Sequence, residues 1–410
     1  MPTSSASENA AQYDVAVVGA GIVGLAVARE LLIRRPQVRI VVFDRESAVA
    51  AHQTGHNSGV IHSGIYYTPG SLKARLCVEG SRLMYEYCRV HDIPYERCGK
   101  LIVATKASEL PRLDALEARG RANAVPGLRR VGPEEIRQIE PECRGIAALH
   151  SPNTGIVDYG AVARELETEL RSAGVVFRLG CRVSGLQRRA GVTVLTHDGD
   201  ETLAHWAVVC AGLWSDRVAV DAGAPADPRI IPFRGAYLRV ARAGTPMVRG
   251  MVYPVPDPDL PFLGVHITKQ IGGDILLGPT AMVVGARDAY RLTRMRFRDL
   301  LSTFLWPGTW RVGVRFWRTA INELRLASSR KAFVRACERY VPALRGAALE
   351  RVGRAGVRAQ AVAADGTLVD DFVISQTPGV THVRNAPSPA ATSSLALAGE
   401  IVDRFEANLA

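Results

Sequence analysis

An α/β fold follows from three features of one stretch, Tyr13 to Glu46. Val15, Val17 and Val18 make an apolar run of strand type, Gly19, Gly21 and Gly24 follow it as G-x-G-x-x-G, and a second apolar run, Ile40 to Phe43, ends in Asp44. A helix from Leu25 to Ile33 joins the two strands, giving a Rossmann-like βαβ unit. The first glycine permits the tight turn, the second lets the backbone approach a phosphate, and the third lets helix and strand pack closely. The N–H groups that open the helix, and its dipole, favour an anion. Asp44, about 20 residues after the last glycine, stands where an acid grips a ribose hydroxyl. The stretch therefore predicts dinucleotide binding.

The remaining composition bounds the rest. A chain of 410 residues is too long for one small core and has room for two interwoven domains. Apolar residues at 47% and charged residues at 22% fit a globular protein. The opening MPTSSASENAAQ has no apolar h-region and no arginine, so it reads as neither a signal nor a transit peptide. A disordered lead-in over residues 1–12 and a cytoplasmic location are the expectation. No uncharged apolar run is long enough to span a membrane. The seven cysteines are scattered without C-x-x-C pairs, which argues against a disulfide framework and against a zinc site, and no metal is expected. The net charge of +11 is almost all arginine, lysine occurring only at 73, 100, 106, 269 and 331. Such a charge points to nucleic acid, an anionic membrane surface or an acidic substrate.

Taken in order, His52 to Pro69 reads as a Gly/Ser/His/Asn loop, Lys73 to His91 as a helix, Gly99 to Thr105 as a strand and Glu109 to Ala124 as a charged helix. Asp158 to Ala173 is an amphipathic helix, and 175–179 and 192–196 are strands. Trp206 to Gly212 is a buried strand running into a glycine turn, where Ala211, Gly212 and Trp214 form a second segment able to meet the dinucleotide. Residues 230–278 alternate strands with Pro-rich turns, an antiparallel sheet in a second domain. Arg287 to Tyr340 is mostly helical, and Arg358 to Ser375 reads as a strand pair around Asp365-Gly366. Leu395 to Asn408 is the last helix, capped by Ser393 or Ser394. Residues 13–90, 142–222 and 350–410 then make the nucleotide domain. Residues 91–141 and 223–349 make an interleaved α+β substrate domain, with 287–340 as a basic helical subdomain.

The fingerprint extends through Ala28 and Leu31, and it joins the HNSG loop, the VVCAGLWS strand and the terminal NAPSPAATSS segment. On these the chain resembles the superfamily of FAD enzymes that includes D-amino-acid oxidase. Through HQTGHNSGVIHSGIYYTPGSLKARLCVEG, IIPFRGAYLRV and YPVPDPDLPFLGVHIT it is more closely similar to the L-2-hydroxyglutarate oxidase/dehydrogenase family. Asp44 stands where many relatives carry Glu, and Thr280 where Asn is expected. The resemblance implies FAD, held non-covalently rather than through His52 or His56, and oxidation of L-2-hydroxyglutarate to 2-oxoglutarate, with electrons passed to membrane quinone or to oxygen. It also implies that Arg45, His56, Asn57, Ser58, Gly59, Val183, Pro389, Ala390, Thr392 and Ser393 lie beside the cofactor.

Oxidising a 2-hydroxy acid requires a base for the hydroxyl proton and cations or donors for the carboxylates. His62, in SGVIHSGIYY, is the first choice for the base, and His266, in LGVHIT, is the rival. Arg234 and Arg358 sit among apolar or small residues, where a guanidinium needs an anion, and are the expected carboxylate clamps. Tyr66, Tyr67, Tyr253 and Ser388 are candidate donors. The N-terminus of the last helix, at Thr392 to Leu395, is placed to stabilise negative charge on the flavin ring. In 294–331, nine basic residues interleave with Phe297, Phe304, Trp306, Trp310, Phe316 and Trp317. This pattern suits a peripheral membrane surface, on the inner face of the cell membrane, better than nucleic acid; an ordinary basic cap with core tryptophans is the competing reading. Two further readings remain at this level. One is another substrate on the same fold, such as glycerol 3-phosphate or an amino acid. The other is a flavoprotein that binds RNA through the basic helices.

Overall fold

The strand Tyr13–Val18 runs through the middle of the first sheet of the computed structural model, which describes residues 12–407 except 242–246, 259, 261 and 352–354. The expected lead-in over 1–12 lies almost wholly outside the described residues. Tyr13–Val18 pairs in parallel with Ile40–Asp44 on one side and with the end of Asp200–Val209 on the other. Val176–Leu179 extends the sheet beyond Ile40–Asp44, and Val380–Asn385 beyond Asp200–Val209. Both faces are covered, which is why these strands read as unbroken apolar runs. On one face lie the helices Ile22–Arg34, Leu72–Val90, Tyr159–Ser172 and Ala390–Glu406. On the other lie the antiparallel strands Val183–Arg189 and Val192–His197.

The second sheet runs in the order Leu349–Arg351, Leu238–Val240, Ile275–Gly278, His266–Lys269, Met251–Pro254, Lys100–Ala104, Ala147–Ser151 and Arg129–Val131. All neighbours are antiparallel except Met251–Pro254 with Lys100–Ala104, the parallel pair that joins the two sequence-distant halves of the domain. The boundary expected at residue 142 does not coincide with the sheets, because Ala147–Ser151 pairs with Lys100–Ala104. The chain returns to the nucleotide domain at Tyr159, after Asp158 caps the helix by accepting from the Gly160 amide at 2.8 Å. Between the two domains lies a small antiparallel sheet of Met282–Val283, Arg229–Gly235 and Gly356–Val362.

Three local expectations are corrected. The turn at Asp365-Gly366 forms, but the returning arm makes only a bridge, Val362 to Leu368. Val373–Thr377 pairs instead with Val380–Asn385. The last helix begins at Ala390, not Leu395, with Pro389 at its cap, and Ser393 and Ser394 are buried inside it. The run of small residues is helical because it lies against another helix: a methyl on Gly80 would sit 2.6 Å from Ser393 Cα. Helix in the basic region starts at Phe297, and 287–296 is irregular. In that region Trp306 is core, donating to the Val362 carbonyl at 2.9 Å, whereas Trp310 and Trp317 are exposed.

A buried ionic cluster pins the domains together. Arg287 holds Asp216 bidentately, one bond at 2.8 Å, and also donates to the Leu213 carbonyl. Asp299 accepts from the Arg287 amide and from Arg217. Removing one member leaves a buried charge uncompensated. Arg287→Met is expected to cost about 3–5 kcal/mol, read as a lower denaturant midpoint at unchanged slope.

Candidate functional site

A cleft of about 850 Å³ runs from the glycine turn, past the inter-domain sheet, to the second sheet. That is large enough for a dinucleotide and a small second molecule together. At its first end Gly19 has φ +115°, and a methyl there would meet the Cys210 carbonyl oxygen at 2.4 Å. Gly24 lies behind the turn, where a methyl would strike the Gly19 carbonyl oxygen at 2.0 Å. Gly21, Ile22 and Val23, which open the helix, line the cleft. The Asp44 carboxylate lines it too, accepting from the Ala20 and Glu46 amides at 2.7 and 2.9 Å. Arg45 pairs with Glu46 and lies 4.2 Å from the Trp214 ring. Val183, Ala211 and Gly212 complete the wall. A glycine turn that only hydrogen side chains permit, a helix start and a strand-end carboxylate fit the pyrophosphate and ribose of FAD.

The loop after Asp44 is built by its own polar groups. His52 sets Nε2 against Glu46 at 2.9 Å and Nδ1 against the Tyr290 hydroxyl at 3.2 Å. The His56 ring lies tilted against Tyr290 with centroids 4.1 Å apart, and its Nδ1 donates to the His52 carbonyl at 3.0 Å. Asn57 donates to the Gln53 and Thr54 carbonyls and accepts from the Gly59 amide. Gly59, with φ +70°, faces away from the cleft towards Val157, while Ser58 lines it. Asn57 thus shapes the loop that presents His56 and Ser58.

At the far end Tyr66, Tyr67, Tyr237, Tyr253, His62, His266, Lys73, Arg358 and Ser388 converge on the cleft. His266 stacks on Tyr253 with centroids 3.9 Å apart, and its Nδ1 lies 2.9 Å from the Gly264 carbonyl. A carbonyl only accepts, so Nδ1 carries the proton and Nε2 the lone pair. Burial, then the charges of Lys100 and Arg358, push His266 down to about 4. The His62 amide donates to Thr392 Oγ1 at 3.1 Å, and its Nδ1 is buried without a partner among the described residues. Burial, followed by Lys100, His266, Lys73 and Arg358, holds His62 well below the usual histidine range. Both rings are therefore neutral near pH 7. Pro389, Ala390 and Thr392, at the start of the last helix, line the cleft, whereas Ser393 points into the protein.

The two expected arginine clamps part company. Register sets Phe233 opposite Arg358, so these share a face and line the cleft. Arg234 points the other way, donating at 3.4 Å to the Tyr290 carbonyl, and is not part of the cleft wall. Arg358 has no carboxylate partner among the described residues; its guanidinium lies over the Phe262 ring at 4.5 Å. Two lysines that sequence reasoning did not single out lie at this end instead. Lys73 lines the cleft, and Lys100 is buried behind it, between the rings of Tyr66 and Tyr253 at 4.8 and 4.9 Å. Burial pushes Lys100 down to about 8. Thr280, which stands where Asn was expected, lines the cleft and accepts from the Ala236 amide at 3.0 Å. Near the nucleotide end Cys181, His197 and Asp198 approach one another, but Arg178 and Thr202 occupy His197 Nε2.

A family model described as FAD dependent oxidoreductase matches residues 14–404. The chain is 44% identical over 411 residues to "L-2-hydroxyglutarate dehydrogenase, mitochondrial" of Nematostella vectensis, with 96% of this chain and 90% of the relative covered. It is 42% identical to the human protein of that name, over 98% and 90%. It is 40% identical to "L-2-hydroxyglutarate dehydrogenase" of Indibacter alkaliphilus, over 95% and 98%. Among solved structures, an FAD-bound L-α-glycerophosphate oxidase of Mycoplasma pneumoniae superposes with a TM-score of 0.75 at 22% identity, over 95% of this chain and 94% of that one. That likeness is one of fold.

The neutral histidines carry a pH signature. His62, His266 and His382 are all held below the value of about 6.5 they take when unfolded. The unfolded chain therefore binds more protons than the folded one below that pH. Their contribution to stability is complete above about pH 6.5 and is lost as pH falls from there towards the folded values. The melting temperature is expected to drop steadily between pH 6.5 and 4.5, and a Tm flat over that interval would contradict the buried neutral assignment.

Proposed function

The chain belongs to the L-2-hydroxyglutarate dehydrogenase family of FAD-dependent oxidoreductases, and on that premise we propose that it oxidises L-2-hydroxyglutarate to 2-oxoglutarate. The observation that carries the substrate is the far end of the cleft, where Arg358 and Lys73 face an opening that also holds two neutral histidines. A dianion is what such a set of charges accommodates. FAD, bound along the glycine turn, supplies the acceptor for the hydride that leaves the substrate's C2. The residues of the chain do the rest. Arg358 takes the carboxylate next to the hydroxyl, where its planar fork orients C2. His62 accepts the hydroxyl proton. It is tied through Thr392 to the start of the last helix, and burial, together with the surrounding cations, keeps its ring unprotonated and ready to accept. The first-turn N–H groups of that helix favour negative charge on the cofactor ring.

The fixed tautomer of His266, lone pair on Nε2, favours a second assignment in which His266 is the base and His62 holds the loop.

We also infer that the helices from Phe297 to Ser328 rest on an anionic membrane and that quinone is the electron acceptor. Phe297, Val314 and Trp310 are 76%, 75% and 59% exposed, and Arg311, Arg315 and Arg318 are exposed among them. Apolar groups at the interface with arginines beside lipid phosphates support this reading. Residues 296–299 line the cleft as well, so the apolar face and the cleft edge are continuous. Among the described residues no helix is long and apolar enough to cross a membrane.

Anaerobic addition of L-2-hydroxyglutarate should bleach the flavin band, and glycerol 3-phosphate or an amino acid should not; the reverse pattern sinks the substrate. The variant that removes the true base, His62→Asn or His266→Asn, should lose about 10²-fold or more in kcat. The other should chiefly lose flavin or stability. Because both rings are held down, the acid limb of kcat/KM should fall below pH 6.5, and for His266 near 4. Vesicles rich in anionic lipid should carry the protein in flotation, and Trp310→Ser with Trp317→Ser should release it. Retention in the soluble fraction at low salt would reject the membrane.

A further inference from the structure

A five-carbon hydroxy diacid presents two carboxylates, and only a grip on the second separates it from a 2-hydroxy monoacid. Arg358 accounts for one. Lys73 is buried in the first turn of the helix Leu72–Val90, with its ammonium 5.0 Å from the Tyr67 ring and on the cleft wall near Ser388. Its ion-pair partner is Asp370, at 2.9 Å. The pair is lopsided. The Asp370 side chain is 84% exposed, the Lys73 side chain 6%. The neighbouring acid is engaged elsewhere. Asp371 accepts from the amides of Leu72, Lys73 and Phe372, so it is fixed against the first turn of the helix that Ser71 caps. Asp370 makes no other hydrogen bond among the described residues. An exposed carboxylate returns to water at little cost, whereas leaving a buried ammonium without an anion is costly. An ammonium has three N–H donors, and Asp370 takes one.

We propose that Lys73 binds the distal carboxylate of the substrate, and that Asp370 is the stand-in anion with which the substrate competes. This assignment rests on the diacid reading above. It makes Lys73 the residue that selects a dicarboxylic over a monocarboxylic 2-hydroxy acid. It also predicts an effect of unusual sign, because removing the charge of a conventional ion-pair partner should improve binding.

The test titrates the FAD holoenzyme with glutarate and with butyrate, neither of which can be oxidised at a hydroxyl, and follows the flavin absorbance. Lys73→Met should weaken glutarate by roughly tenfold and butyrate by less than about threefold, a charge-assisted contact being worth about that difference. Asp370→Asn should tighten glutarate by about two- to fivefold, the gain expected from losing one exposed competing charge. In turnover, Lys73→Met should raise KM for L-2-hydroxyglutarate by a larger factor than it lowers kcat. Equal losses on glutarate and butyrate overturn the proposal, as does weaker glutarate binding by Asp370→Asn, which is what a purely structural latch predicts. Should Lys73→Met fail to retain flavin, Asp370→Asn, at an exposed position, decides alone. If the unmodified enzyme prefers glutarate yet leaves L-2-hydroxyglutarate unoxidised, the substrate is wrong and the carboxylate site stands.

Discussion

The architecture turns on one hydroxyl. Thr392 Oγ1 accepts the His62 amide at 3.1 Å, lies 2.9 Å from the Tyr159 hydroxyl and 3.2 Å from the Val60 carbonyl. Those groups belong to the C-terminal helix, the 52–69 loop and the helix Tyr159–Ser172, which are distant in sequence. The contact is buried, so its donors and acceptors have no water to fall back on, and leaving one unmade costs about 1–3 kcal/mol. It fixes the helix start at a set distance from His62, which lines the same cleft. The close approach it needs is provided by Gly80, whose missing side chain lets the backbone at Ser393 sit against the neighbouring helix.

The second constraint is electrostatic. Lys100, Lys73 and Arg358 all act on His62, and two of them on His266. Three cations around a narrow pocket are costly without anions, and among the described residues only the exposed Asp370 answers one of them directly. Burial and like charge keep the histidines in the form that accepts protons. A dianionic ligand placed there would relieve the cations and, by its own charge, raise the proton affinity of the neighbouring imidazoles. On the function proposed above, recognition and activation would share one field, and a neutral ligand of the same shape would supply neither.

Much of the first domain was legible because its signals are local. Strand, glycine turn, helix and second strand lie within 34 residues, and both faces of the sheet are covered, so period and glycine spacing carried the message. The second sheet was legible only as an antiparallel tendency. Its decisive feature, Met251–Pro254 beside Lys100–Ala104, is a parallel pairing across about 150 residues, and nothing in either strand announces the other. The start of the last helix was hidden for a related reason. Pro389-Ala390-Ala391-Thr392 resembles a loop by its proline and small residues, yet helix starts at Ala390, directly after Pro389, where the first turns pack against Gly80.

At the site, residue type pointed to chemistry and failed at direction. Arg234 and Arg358 look alike in sequence, each a lone cation among small and apolar neighbours. Strand pleat separates them, since in antiparallel register Arg358 shares the face of Phe233 and Arg234 takes the opposite one. A usable signal lay elsewhere, in scarcity. In a chain whose positive charge is nearly all arginine, lysine occurs at five positions, and two of these, Lys73 and Lys100, are buried. On a solvated surface the two side chains are often interchangeable, and a composition that drives one out removes it there first. Inside, they differ: the guanidinium is planar and permanently charged, whereas the ammonium is compact, fits between two tyrosine rings, and changes its proton affinity with burial. A buried lysine in an arginine-rich protein therefore marks a place where size or titration is specified, and here the two buried lysines line or back the far end of the cleft.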